Sequence, residues 1–78
     1  MSTVLKTGTY RFFFYSGDGK EPPHIHVERE DKIAKFWLIP IRLQRDGGFN
    51  RADIGHILKI IGRHQYQLLE AWNEHFDH

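Results

Sequence analysis

The stretch HIHVEREDKIAKFWL, His24 to Leu38, decides the fold. His24 to Arg29 alternates: Ile25 and Val27 fall on one face and His24, His26 and Glu28 on the other, the period-two pattern of a half-buried strand. EREDK is a polar turn, and from Ile33 to Leu38 the alternation resumes, with Ala34, Phe36 and Leu38 set against Lys35 and Trp37. Two such runs joined by a short polar segment predict an antiparallel hairpin.

On the N-terminal side, Pro22 and Pro23 stand just before the first of these strands, where a missing N–H costs no ladder bond. They end a run of turn formers, SGDGKEPP, that follows the aromatic, strand-favouring YRFFFY of Tyr10 to Tyr15. On the C-terminal side Pro40 interrupts the pattern, PIRLQ reads as a short edge segment, and RDGGF is a turn. From Asn50 the period changes. Asn50 is a good N-cap, with Asp53 at the third helical position in the manner of a capping box. Ile54, Ile57, Leu58, Ile61, His64, Leu68, Trp72 and Phe76 then recur at spacings of three and four, the stripe of an amphipathic helix. Gly55 and Gly62 each weaken it by up to about 1 kcal/mol relative to Ala, and one unbroken helix is predicted in preference to a break near Gly62. The fold class is thus α+β, an antiparallel sheet of three to four strands (about residues 8–45) with one long C-terminal helix (about residues 51–76) packed on one face, in a single domain 1–78.

Composition sets the outer limits. A chain of 78 residues buries only about 60 to 65 % of its unfolded surface, so its stability is modest. It has no cysteine, which excludes a disulfide framework and a thiolate metal site, so any metal ligands must come from His and carboxylate. Eleven basic residues against ten acidic give a formal net charge of +1, which selects no polyanionic partner at the level of the whole chain. The pattern reads as neither a secretory signal nor a membrane span, and the expectation is a cytoplasmic protein with no membrane partner.

One helix covers one face of a sheet, so the other face is where function is expected. With Ile25, Val27, Ala34, Phe36 and Leu38 under the helix, alternation sends His24, His26, Glu28, Lys35 and Trp37 outward. Arg11, Phe13 and Tyr15 are assigned to join them, with Arg42 beyond, and Tyr10, Phe12 and Phe14 are the alternative set. This outer face admits three chemistries. Rings beside cations suit a protein partner, a second copy of the chain, or the stacked bases of single-stranded nucleic acid, and Lys32, Lys35, Arg42 and Arg45 have no acidic residue among them from Lys32 onward. Alternatively the segment Pro40 to Phe49 folds over the rings. His24 and His26, about 6.5 to 7 Å apart at Cα, could act as acid and base in phosphodiester cleavage, with Lys35 or Arg11 stabilising the charged phosphorane. The same two imidazoles with Glu28 form part of a two-His, one-carboxylate set for a divalent metal such as zinc. Of the other histidines, His64 reads as a core-edge residue bonded to the sheet, and His56, His75 and His78 as solvated positions. Trp72 and Phe76 read as core.

The combination of FYSGDGKEPPHIHVERE, AKFWLIPIRL, a GF pair followed by a helix, and the ending HQYQLLEAWNEHF resembles the bacterial family known as domain of unknown function 4160. The motif positions by that resemblance are Pro22, Pro23, His24, His26, Val27, Ala34, Lys35, Phe36, Trp37, Leu38, His64 and Trp72. The resemblance carries no established activity over to this chain, and a His-dependent ribonuclease is the expectation if the chain is an enzyme. It implies a small protein encoded beside another short family, in the manner of a toxin-antitoxin pair. The expected function is therefore a partner-protein-binding module acting through the aromatic outer face, with no cofactor required. A metal-independent ribonuclease or RNA-binding protein using His24 and His26, and a His/Glu metal binder, are the alternatives.

Overall fold

The computed structural model describes residues 2–76. Five strands, β1 (Ser2–Thr7), β2 (Tyr10–Phe14), β3 (His24–Arg29), β4 (Lys32–Leu38) and β5 (Ile41–Arg45), form one antiparallel meander in the order β1-β2-β3-β4-β5. Helices α1 (Arg51–Arg63) and α2 (Gln65–His75) follow.

The α+β class and the β3–β4 hairpin are as predicted. The hairpin closes on the pair Arg29↔Lys32 across a two-residue turn in which Glu30 takes the left-handed conformation, φ 58°. Ile25, Val27, Ala34, Phe36 and Leu38 are all fully buried on the helix face. The choice left open on β2 is resolved by register: Phe12 pairs with Val27 and lies with Tyr10 and Phe14 in the core, so Arg11, Phe13 and Tyr15 lie on the outer side.

Two details of the prediction are corrected. The sheet has five strands, because β1 adds an edge that the sequence conceals. Its pairing with β2 shifts register between Thr3 and Leu5, and that bulge breaks the alternation by which a six-residue strand would be recognised. The helix is two helices. The break falls at His64 (φ −116°, ψ 15°), whose N–H is shared between the carbonyls of Ile60 and Ile61. Immediately after it, the Gln65 side chain donates to the carbonyl oxygen of Leu38 at 2.8 Å, which ties the corner to the end of β4. From there Leu68 and Trp72 point into the core that Ile57, Ile60 and Ile61 enter from α1.

Between sheet and helices the connection is set by backbone contact. A Cβ on Gly47, which holds φ +63°, would stand 1.9 Å from the carbonyl oxygen of Ile33, so only glycine lets this turn lie against β4. Asn50 then caps α1 through its Oδ1, which accepts from the Asp53 N–H at 2.8 Å, as predicted. The Asp53 carboxylate turns instead to the Arg29 guanidinium, 2.8 Å away, fixing the helix start to the end of β3.

Candidate functional site: a sealed histidine pair and an open sheet edge

The outer face of the sheet is not uniformly outer. Across its centre runs the row Phe13↔His26↔Lys35↔Arg45, and beside it Arg11↔Glu28 and His24↔Trp37↔Arg42. Phe13 and His24 are nevertheless fully buried and His26 is 4 % exposed. The cover is residues 16–23 of the β2–β3 connection, not the Pro40 to Phe49 segment offered as one alternative. A one-turn 3-10 helix, Asp18–Lys20, folds this connection back over the histidines, and the Phe76 ring packs on Gly19 from the end of α2.

Asp18 is the centre of the sealed part. Its Oδ2 accepts from the backbone N–H of Tyr15 at 2.8 Å, stands 3.1 Å from His26 Nε2 and 3.2 Å from His24 Nε2. His24 Nδ1 lies 2.9 Å from the carbonyl oxygen of Pro22, so the first of the two prolines supplies more than a strand start. The two imidazole rings are perpendicular, centroids 5.1 Å apart. His26 stacks on Phe13 at 5.4 Å and meets Tyr15 edge-on at 4.7 Å, while His24 packs against Trp72 at 5.0 Å and Trp37 at 5.8 Å. Burial pushes the His26 pKa down, with Asp18 opposing and the neighbouring His24 and Lys35 reinforcing the fall.

The predicted residues divide accordingly. His24 and His26 are brought together, but Glu28 is not their third partner: Arg11 takes it through Nε at 2.8 Å and through a second, shorter contact from its Nη2. The carboxylate of the cluster is Asp18, which sequence reasoning passed over as one of a run of turn formers. Lys35 does not point at the histidines. Its ammonium bonds Glu21 of the covering loop at 2.5 Å and sits 5.0 Å over the Trp37 ring, and it holds the Glu21 carboxyl below its ordinary range. Arg11 lies 4.3 Å over Phe13. His64 is half-buried at the helix break, 3.3 Å from the Gln67 side chain, while its neighbour Gln65 makes the bond to the sheet. His56 and His75 are exposed as predicted, Trp72 is core, Phe76 packs against it, and His78 lies outside the described residues.

The sequence profile of the domain of unknown function DUF4160 matches residues 9–73, which takes in both strands of the hairpin, the covering loop and nearly all of both helices. The chain belongs to this family. No curated protein and no solved structure was found to match it. The matched span contains Asp18, His24 and His26 together, whereas the edge strand β1 lies before it.

Away from the sealed end, the sheet is open. Among the described residues β5 pairs with β4 alone, and Arg42, Leu43, Gln44 and Arg45 are all exposed. Ile39, 62 % exposed, stands in the turn that leads into it. A second exposed surface runs along α1. All its exposed positions, Arg51, Ala52, Gly55, His56, Lys59, Gly62 and Arg63, are cationic, small or histidine, and a shallow hollow of about 480 Å³ runs along them. Neither α1 nor α2 is long and apolar enough to cross a membrane.

Proposed function

We propose that the protein is a non-enzymatic, partner-binding module of a toxin-antitoxin-like gene pair, and that its docking surface is the β4–β5 side of the sheet. The observation that carries this reading is the unpaired edge of β5. An edge strand offers a row of free N–H and C=O groups to any extended chain laid beside it. Here that row is flanked by Arg42 and Arg45 and by the partly covered Lys35 and Trp37, with the apolar Ile39 and Leu43 alongside. From Lys32 to Arg45 there is no acidic residue, so an acidic, strand-forming segment of a partner fits the charge. A second copy of this chain would add its own Arg42 and Arg45 to the same short ribbon, which disfavours a β5-to-β5 homodimer. The gene-pair element of the reading rests on the family resemblance.

The ribonuclease alternative gains no support from the geometry. Acid and base catalysis requires both imidazoles within hydrogen-bond reach of the phosphodiester, and both are closed off beneath the 16–23 loop with their Nε2 atoms turned to Asp18. RNA binding without cleavage has one observation in its favour, the wholly non-acidic exposed face of α1, where Arg51, Lys59 and Arg63 could meet phosphates and Gly55 and Gly62 allow close approach.

The test is to purify the protein with the product of the adjacent short gene and measure binding by calorimetry. The expected result is a one-to-one complex in which β5 amides exchange more slowly, with the double variant Arg42→Glu, Arg45→Glu at least about tenfold weaker. A complex that leaves β5 exchange and the double variant unchanged sinks the proposed surface. Salt-dependent binding of a short single-stranded RNA, lost in Lys59→Glu, would instead support the second reading.

A further inference from the structure

We infer that Asp18, His24 and His26 form a binding site for one divalent transition-metal ion of the zinc class, which clamps the 16–23 loop onto the sheet. The inference is independent of the docking surface and rests on where protons can be.

A backbone carbonyl only accepts, so the 2.9 Å contact between His24 Nδ1 and the Pro22 oxygen places a proton on Nδ1. In the neutral ring Nε2 then carries a lone pair. That lone pair faces the Asp18 carboxylate oxygen at 3.2 Å, in a residue with no exposed surface, and His24 Nε2 has no hydrogen-bond partner among the described residues. Two acceptors turned toward each other in a dry setting require a positive centre between them. A metal ion meets that requirement; it leaves His26 Nδ1, buried and without a hydrogen-bond partner among the described residues, as the one ring nitrogen of the pair with no second contact.

Ligands at about 2.0 to 2.1 Å from a tetrahedral zinc stand about 3.3 Å from one another. The two nitrogen-to-oxygen edges here are 3.1 and 3.2 Å, and the three donor atoms all lie within 4.8 Å of one another. A ligating histidine ordinarily donates its second ring N–H to a carbonyl or carboxylate, which fixes its tautomer and orientation. Pro22 does this for His24. The surrounding rings of Phe13, Tyr15, Trp37 and Trp72 keep the site apolar, and Asp18, with its side chain 13 % exposed, forms its solvent edge. In a chain without cysteine, two imidazoles and a carboxylate are the ligand set available for zinc. The fourth position is left for water on the Asp18 side.

The consequence is mechanical. Asp18 and β3 belong to different segments, and an ion shared between them fastens the covering loop as a disulfide would in an oxidised protein. Because the ligands come together only in the folded chain, binding raises stability by mass action.

The test uses the full chain, dialysed against a chelator and titrated with zinc alone, then with cobalt. Calorimetry gives stoichiometry, and long-range nitrogen-proton correlation spectra of the histidine rings give tautomer and ligation without any substitution. The expected result is one zinc bound, with Nε2 of His24 and His26 shifted as ligands, the Nδ1 proton of His24 retained, and a melting temperature raised by zinc. Asp18→Asn should weaken binding at least about tenfold and abolish the thermal shift, whereas His56→Gln should change neither. The inference is overturned if His24 proves to carry protons on both nitrogens and does not respond to zinc, because the positive centre is then a proton. It is equally overturned if zinc binds only at exposed histidines, with Asp18→Asn indistinguishable from wild type.

Discussion

Asp18 is bracketed by two glycines, and substituting each by alanine separates what the covering loop needs from what it tolerates. Gly17 has φ −87° and ψ 0°, a conformation alanine adopts freely, and a Cβ there would meet nothing within 4 Å. Gly17→Ala should therefore be neutral or stabilising by about 0.4 to 1 kcal/mol, through loss of freedom in the unfolded chain. At Gly19 a Cβ would lie 2.7 Å from Phe76 Cδ1 and 3.2 and 3.3 Å from the next two ring atoms. Ordinary carbon contacts lie at about 3.5 to 4.0 Å, so a gap of about 1 Å must open. The ring cannot retreat freely, because it is packed 4.3 Å from Trp72 and 4.6 Å from His75 between centroids. The loop must lift, and overpacking of this kind costs about 1 to 3 kcal/mol. The two variants should thus differ by about 1 to 4 kcal/mol in urea unfolding followed by tryptophan fluorescence, with the Gly19→Ala midpoint the lower. Because the displaced loop carries Asp18, Gly19→Ala should also perturb the His26 ring resonances while Gly17→Ala leaves them in place. Variants within about 0.5 kcal/mol of each other, at equal slope, would refute the packing of the loop on Phe76.

Three further outcomes are expected. Gln65→Ala removes the 2.8 Å bond to the Leu38 carbonyl, and unfolding should show a loss of about 0.5 to 1.5 kcal/mol with faster amide exchange around His64. Gly55→Ala and Gly62→Ala should each raise stability by up to about 1 kcal/mol in thermal scans, since both are exposed helix positions whose Cβ meets nothing within 4 Å. In metal-free protein, burial lowers the folded-state pKa of His26 below its ordinary 6.5, so just below that pH the unfolded chain takes up a proton that the native chain refuses. Stability should be full above 6.5 and fall as pH drops through the window beneath it, with the slope reduced in His26→Gln.

How much of this was legible depends on the range of the interaction that fixes each element. The β3–β4 hairpin and its buried row are set by alternation and a two-residue turn, and the start of α1 by the Asn50 cap, all within a few residues. Those were readable. The break at His64 is fixed by Gln65 reaching Leu38, 27 residues back, and nothing local marks it more strongly than Gly62 does. β1 was hidden by a bulge that removes its period. Asp18 was missed for the same reason of range. By alternation Glu28 is the carboxylate beside His26, but register gives Glu28 to Arg11 on the neighbouring strand, and the loop then brings Asp18 from eight residues upstream of His26. The local hint was the Asp18 side chain accepting from the N–H of Tyr15, three residues before it and just past the end of β2.

Alternation correctly assigned His26, Lys35 and Trp37 to one face, yet a face is not an exposure. The covering loop splits that surface into two chemistries. At the β2–β3 end the titratable and ligating groups are dry, ringed by aromatics and out of reach of a macromolecule. At the β4–β5 end Arg42, Arg45 and the strand edge are accessible. Lys35 stands at the boundary: it pairs across strands with His26 on one side and Arg45 on the other, and its ammonium joins Glu21 of the loop at 2.5 Å while lying over Trp37. An ion that held Asp18 down would also keep Glu21 near Lys35, at one side of the proposed docking surface. Coupling between the two ends has two side-chain routes, Lys35 through Glu21 and Trp37 through His24, and each ligand would change the affinity of the other by the same factor.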